Sequence, residues 1–401
     1  MVEKDWLHYK IKNIARVIRG ASPRPKGDKR YYGGDVPRLM VKDVTRDGKF
    51  VTPQVDFLTK EGEKLSRPCK KGTLTIVCSG TVGIPSFLAV DACIHDGFLA
   101  LIEIDKNISN DYLYHQLSSL RNKFESSATH GGVFTNLTTS ILEEFTVAFP
   151  PTKEEQSVIA ESLSNIDELI QQLDYLIQKK KNIKQGAMQE LLTGKRRLFG
   201  FSGKWEVVEI GNHIDLLTGF PFSSNYYSKN GIRLLRGSNI KRNHIDWSEN
   251  ITEYWEKLTP DLKKYVLEDG DIVIAMDGSL VGMSFARLSK KDLPALLLQR
   301  VARIRSNSIN MDYLKEYVCS NYFTKYCDSV KTVTAIPHIS PKDIRKFSIP
   351  VPPTKEEQSA IAKIISNMDT EIEKLEKNKE KYIMLKNGMM QKLLTGEIRV
   401  K

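Results

Sequence analysis

One stretch of this chain is written twice. Pro150–Gly194 aligns without a gap onto Pro352–Gly396, and roughly half of the ~45 positions are identical, which marks a duplication. The copies open on Pro150-Pro151-Thr152-Lys153-Glu154-Glu155-Gln156-Ser157 and Pro352-Pro353-Thr354-Lys355-Glu356-Glu357-Gln358-Ser359. They close on Met188-Gln189-x-Leu191-Leu192-Thr193-Gly194 and Met390-Gln391-x-Leu393-Leu394-Thr395-Gly396. Each copy reads as one long helix. Thr152 with Glu155, and Thr354 with Glu357, have capping-box spacing, hydroxyl to the third amide and carboxylate back to the cap. The prolines in front cannot continue a helix backwards, and Gly194 and Gly396 stand where a left-handed C-terminal cap belongs. About 38 residues at 1.5 Å each give about 57 Å. Apolar residues recur at steps of three and four: Ile159, Leu163, Ile166, Ile170, Leu173 and Ile177, then Ile361, Ile365, Met368, Ile372 and Leu375. Such a stripe can pack on its own domain. Two seamed helices of equal length more simply pair with each other. Lys179, Lys180, Lys181 and Lys184, extended by Lys195, Arg196 and Arg197, read as a solvated face.

The regions before the helices correspond more weakly. Trp6 matches Trp205 and Gly20 matches Gly219. Val36-Pro37-Arg38-Leu39-Met40 matches Gly231-Ile232-Arg233-Leu234-Leu235. The strand-like run Thr75–Gly83 matches Asp271–Gly282, and Gly97–Leu101 matches Gln299–Arg303. Short helices are expected over Asp111–Phe124 and Asn310–Cys327, and apolar runs over 145–149 and 347–351 precede the prolines. The order is domain (1–149), helix (150–197), domain (198–351), helix (352–401), of mixed α+β character. Alike helices carrying diverged domains suit a fixed frame with two interchangeable readers.

The formal charge of +11 and pI of about 9.2 favour phosphate polyanions as partners. No run of about 18 apolar residues occurs, and Met1–Lys12 lacks a signal core, so a cytoplasmic protein without membrane contact is expected. Cys69, Cys78, Cys93, Cys319 and Cys327 are scattered, without zinc-ligand spacing, and read as reduced, mostly buried thiols. Enzyme motifs are missing. Phe149-Pro150-Pro151-Thr152 lacks the amide and ring of a base-flipping methyltransferase segment and reads as a helix-entry turn. Gly200-Phe201-Ser202-Gly203-Lys204 fails phosphate-loop spacing. Pro260-Asp261 has no following nuclease partner, the histidines show no metal spacing, and Ser79-Gly80 lacks a nucleophile elbow.

The doubled Pro-Pro-x-x-Glu-Glu-Gln openings, the Leu-Leu-Thr-Gly closings, the Trp205 entry and Gly270-Asp271-Ile272-Val273 leading to Gly278 resemble a type I restriction–modification specificity subunit over essentially the whole chain. The resemblance implies two pseudo-repeated α/β target recognition domains joined by two long repeated helices forming an antiparallel coiled coil. Each domain would read one half of a bipartite site in double-stranded DNA, and the helices would set the gap. It further implies a chain without catalysis of its own, docked to two methyltransferase subunits that modify adenine and two ATP-driven motor–nuclease subunits. S-adenosylmethionine, ATP and Mg would serve those partners, with no cofactor or metal on this chain. One departure stands out: Pro68-Cys69-Lys70-Lys71-Gly72 is basic where Glu268-Asp269-Gly270-Asp271 is acidic. The alternatives are the specificity chain of a related methylating restriction system, a coiled-coil adaptor whose domains bind peptides or RNA, and a stand-alone DNA-modifying enzyme.

Polar, glycine-punctuated segments after strands are where loops can reach a groove. They nominate Arg24, Lys26, Arg30, Arg38, Lys42, Ser79, Thr81, His130 and Thr135 in the first domain. In the second they nominate Asn225, Arg233, Arg236, Ser238, Asn239, Lys241, Arg242, Ser279, Gln299 and His338. Arg236 with Ser238 and Asn239 is the leading group, since Arg forks onto guanine and Asn onto adenine.

Overall fold

In the computed structural model, which describes residues 5–131, 134–332 and 336–399, both repeated segments are continuous helices, Lys153–Leu191 and Lys355–Leu393, of 39 residues each. Only half of each expected capping box forms. Thr152 Oγ1 accepts the Glu155 amide at 3.2 Å, and Thr354 Oγ1 the Glu357 amide at 3.3 Å. The carboxylates turn instead to arginines: Arg399 forks onto Glu155 and Arg197 onto Glu357. A charged fork is a stronger partner for a carboxylate than a backbone amide. Arg197 therefore leaves the solvated face assigned to it. The glutamine that follows has a structural reason too. Gln156 Oε1 accepts the Ser109 amide and Gln358 Oε1 the Asn310 amide, both at 2.8 Å, while their amides donate to the Pro150 and Pro352 carbonyls. Each glutamine thus stitches the helix start to the start of a short helix in its own domain.

The chain divides into two compact units, and the division cuts through the long helices rather than at their ends. Unit 1 is Met1–Leu176 with Leu375–Lys401; unit 2 is Ile177–Lys374. Within unit 1 the helix segments run antiparallel, with Asp167 on Lys386 and Asp174 on Lys379, each at 2.5 Å. Within unit 2 Lys184 meets Asp369 at 2.5 Å and Lys180 meets Glu371 at 2.6 Å. Asp167 and Asp369 are equivalent repeat positions, as are Lys184 and Lys386. Two of the lysines expected on a solvated face are thus interhelical partners. The apolar stripe has two roles. Ile159 and Leu163, with Leu393 and Leu394, enter the core of unit 1; Ile361 and Ile365, with Leu191 and Leu192, enter that of unit 2. The first turns of each stripe therefore pack on a domain, the alternative to helix pairing that the stripe allows.

In unit 1 a five-stranded sheet runs in the order Arg16–Arg19, Phe98–Ile102, Leu74–Val77, Pro85–Leu88, Phe50–Val51. Beside it lies a four-stranded sheet, Asp56–Leu58, Tyr32–Leu39, Ala92–Ile94, Arg67–Cys69. Unit 2 repeats both with one strand fewer: Asp215–Thr218, Val301–Arg305, Ile272–Ala275, Phe285–Arg287, and Glu253–Trp255, Ile232–Leu235, Ala295–Leu297. The central strands are buried on both faces, Thr75 and Arg303 included, because each face meets a different core. Leu74, Ile76, Leu99 and Leu101 join the helix-bearing core, while Val77, Phe98 and Ala100 join the second. Ile272 and Ile274 against Val273 and Ala275 do the same in unit 2. Successive strand side chains point to opposite faces, so both-sided burial removes the polar alternation. The expected short helices each break in two, Asn110–Ser119 with Arg121–Ser127 and Met311–Val318 with Asn321–Val330. The apolar runs before the prolines are strands Thr146–Phe149 and Ser348–Val351, paired with Leu7–Lys10 and Glu206–Glu209.

The closing glycines adopt φ +70° at Gly194 and +75° at Gly396, the left-handed cap that the sequence implied. A Cβ on Gly396 would sit 2.7 Å from the Trp6 ring, and one on Gly194 3.2 Å from the Trp205 ring. The matched tryptophans are thus the surfaces on which the helix ends rest. Gln116 Nε2 donates to the Leu394 carbonyl at 2.9 Å, and the Tyr317 hydroxyl donates to that of Leu192.

Among the described residues no helix is long and apolar enough to cross a membrane. All five cysteines are buried and unpaired. Burial pushes the Cys319 and Cys327 thiols up to about 12 and those of Cys69 and Cys78 up to about 11. The thiolate is the reactive form, so alkylation of the folded protein at pH 8 is expected to leave all five thiols intact over hours. Rapid labelling by intact mass would contradict these buried positions.

Candidate nucleic-acid interface

The same loop recurs in the two units, with different side chains. In unit 1 the chain leaves strand Leu74–Val77 through Ser79, Gly80 (φ +79°) and Thr81, and Ser79 forms an antiparallel bridge with Asn136. In unit 2 it leaves Ile272–Ala275 through Asp277, Gly278 (φ +104°) and Ser279, and Asp277 bridges His338. The amide following each bridge partner donates to equivalent carbonyls, Leu137 to Cys78 at 2.8 Å and Ile339 to Met276 at 2.9 Å. Of the nominated residues, Ser79 and Thr81 come together in one loop, and Ser279 and His338 in its counterpart. His130 and Thr135 lie opposite each other in the hairpin Thr129–Gly131 and Phe134–Asn136; their side chains lie outside the described residues.

Beside each loop stands the turn into the next strand. The Cys78 amide donates to the Gly97 carbonyl at 2.8 Å, and the Met276 amide to the Arg300 carbonyl at 2.9 Å. Gly97 therefore corresponds to Arg300, one residue on from the sequence pairing with Gln299. Arg300 has φ +67°, rarely adopted by a side-chain-bearing residue. Its Nη1 lies 2.7 Å from Asp277 Oδ2, and its side chain remains 67% exposed. His338 Nδ1 holds the other Asp277 oxygen. Asp277, Arg300, Ile336 and His338 line a cleft of about 270 Å³. In unit 1 the residue before Gly97, Asp96, accepts from Ser22 Oγ at 2.6 Å and lies 3.5 Å from Arg24. Neither Asp277 nor Arg300 was nominated from sequence. The one-residue slip hid a glycine-to-arginine contrast that would have singled out Arg300.

Several nominated residues make contacts within their own domain, and burial takes Arg38 and Asn239 out of reach. Arg38 is 4% exposed and spans Asp56 at 2.5 Å and Ser22 at 2.6 Å, so no groove can reach it. Asn239 is fully buried: its oxygen accepts the Arg236 amide at 3.1 Å and its nitrogen donates to the Asp246 and Ile251 carbonyls. Asp43 does the same job in unit 1, accepting the Met40 and Gln54 amides. Arg236 donates to the Ile251 carbonyl at 2.6 Å and lies 3.7 Å from Glu253. The group expected to read bases is thus a loop staple with only Ser238 exposed. Arg233 stacks 4.5 Å over Trp247 and donates to the Lys291 carbonyl. Arg242 donates to Asn321 at 2.5 Å and Lys241 to the Ser238 carbonyl at 2.8 Å. Arg30 forks onto Asp28, whose carboxyl it holds below the usual range. Lys26, Lys42, Thr81, Asn225, Ser279 and Gln299 are exposed, as phosphate or base contacts require. Among the described residues no three His, Cys, Asp or Glu side chains gather to hold a metal.

Against known proteins, a family model described as "Type I restriction modification DNA specificity domain" matches residues 3–185 and again 202–382. The chain is 28% identical to the type I restriction enzyme MjaVIII specificity subunit of Methanocaldococcus jannaschii, covering all of this chain and 94% of that protein. It is 25% identical to the type I restriction enzyme EcoKI specificity subunit of Escherichia coli, covering 99% and 89%. Its fold is similar to the S subunit of a type I restriction–modification system from M. genitalium, with TM-score 0.62 and 16% identity over 97% of this chain and 96% of that one.

Proposed function

The chain belongs to the type I restriction–modification DNA specificity family, and from that premise we propose that each unit reads one half of a bipartite duplex sequence while the long helices set the gap. The observation that carries this reading is the doubled loop. One backbone frame, with Ser79 bridging Asn136 in unit 1 and Asp277 bridging His338 in unit 2, presents unlike side chains at equivalent places. Two copies of one reader need the same frame to position on phosphates and different side chains to read different bases. In this reading the chain carries no catalytic site and works in the cytoplasm. Adenine methylation with S-adenosylmethionine falls to two methyltransferase subunits, and ATP- and Mg-dependent translocation and cleavage to two motor–nuclease subunits.

Mapping methylated adenines by long-read sequencing tests this. DNA from cells expressing the chain with its neighbouring methyltransferase is compared with DNA from cells expressing the methyltransferase alone. A single bipartite motif with a fixed gap is expected only when this chain is present. Identical or absent methylation in both would overturn the two-reader assignment.

A further inference from the structure

We propose that Arg300 is the specificity-determining side chain of unit 2, reading a guanine in the major groove, with Asp277 and His338 as positioning residues behind it. This rests on the reading of unit 2 as a duplex-reading domain. Four observations converge on it. Arg300 holds a left-handed backbone at φ +67°, a conformation that its unit 1 counterpart Gly97 does not adopt. A side chain kept at a place a glycine fills more easily costs about 1–2 kcal/mol, and such strain is retained where function uses it. The guanidinium is two-thirds exposed, yet one edge is fixed 2.7 Å from Asp277, which is itself only 16% exposed. A clamped fork loses less freedom on binding than a free one. His338 takes the remaining Asp277 oxygen, so the carboxylate is held from two sides and cannot swing with the arginine. Finally, the two units differ here within a shared hydrogen-bond frame: Arg300, Asp277 and His338 stand against Gly97, Ser79 and Asn136. Guanine presents the two acceptors, O6 and N7, that match an arginine fork.

Arg300→Gly is the decisive variant, because glycine suits the left-handed backbone and reproduces the residue that unit 1 uses. Arg300→Lys keeps the charge and loses the fork. The full-length variants are expressed with the methyltransferase and their methylated adenines mapped. Both are expected to relax a single G·C position in one half-site, with discrimination falling roughly ten- to hundredfold, while the other half-site and the gap stay as in the parent. Asp277→Asn is expected to relax the same position less. A motif unchanged in Arg300→Gly, with binding weaker on every sequence and a shallower salt dependence, would make Arg300 a phosphate contact and overturn the proposal. A parent chain that yields no bipartite motif would instead overturn the reading of the units.

Discussion

Gly219→Ala is expected to unfold unit 2, at a cost of about 4 kcal/mol or more. A Cβ there would lie 2.1 Å from the Leu298 carbonyl oxygen and 2.2 Å from its carbon, with the Leu297 oxygen at 2.7 Å. All three are backbone atoms, so no side chain can rotate away. The backbone is pinned on both sides, by the Gly219 amide on the Val301 carbonyl at 3.1 Å and the Phe220 amide on the Leu297 carbonyl at 3.0 Å. Relief therefore requires moving the chain at Gly219 away from the Leu297–Val301 segment that joins the two sheets. Gly20 meets the same obstacle in unit 1, 2.1 Å from the His95 oxygen, so Gly20→Ala is expected to harm unit 1 to a similar degree. Gly186→Ala is the matched control. It lies within the first long helix with nothing within 4 Å of its Cβ, and alanine there should stabilise by about 0.5–1 kcal/mol. Hydrogen exchange resolved by peptide separates the units. Strands 215–218 and 301–305 should lose protection in Gly219→Ala, while 16–19 and 98–102 keep it. Stability within about 1 kcal/mol of the parent would refute the close approach.

The matching of Gly20 with Gly219 was readable because one backbone requirement selects one residue type. The helix openings, the left-handed caps and the tryptophans beneath them were readable for the same reason: each is local and repeated. Pairing across the fold was not. The sequence placed Arg197 on a solvated face because charge is usually exposed, but its partner Glu357 is far along the chain. Arg38 and Asn239 have the donors and acceptors of base readers, and only burial shows that the fold uses them. The alignment at Gly97 slipped by one residue because strands buried almost throughout, Phe98–Ile102 and Val301–Arg305, give little polar alternation to fix the register. The alignment at Arg38 slipped because an arginine stands one position away in the other copy. Leu39 and Leu235 pair with Ile94 and Leu297 respectively, which sets Arg38 against Leu234 rather than Arg233. The slip at Gly97 concealed Arg300. Motif reading thus recovered the frame, which is duplicated, and missed part of the proposed reading surface, where the two units differ.

Arg197→Ala is the second large effect, about 3–5 kcal/mol. Glu357 is fully buried, and Arg197 Nε and Nη2 hold its carboxylate at 2.6 and 2.8 Å. The same guanidinium donates to the Gly203 and Ser202 carbonyls at 2.7 and 3.0 Å. Alanine removes all four bonds and leaves a buried carboxylate in the first turn of the second long helix without its arginine counter-charge. The cost is mainly that orphaned charge, so it should shrink when the charge is removed as well. Arg197→Met with Glu357→Leu is expected to recover most of the lost stability, since replacing both partners by apolar groups avoids the desolvation penalty. The repeat supplies an internal comparison. Arg399 makes the equivalent pair with Glu155, where the two side chains are 39% and 9% exposed against 28% and 0% for Arg197 and Glu357, so the carboxylate keeps some solvent and Arg399→Ala should cost less, about 1–2 kcal/mol. Three of the four tryptophans, Trp205, Trp247 and Trp255, lie in unit 2, so urea unfolding followed by tryptophan fluorescence reports chiefly on that unit. A drop in midpoint for Arg197→Ala, largely restored in the double variant, is the expected pattern. Equal losses from Arg197→Ala and Arg399→Ala would mean that burial does not set the strength of these clamps.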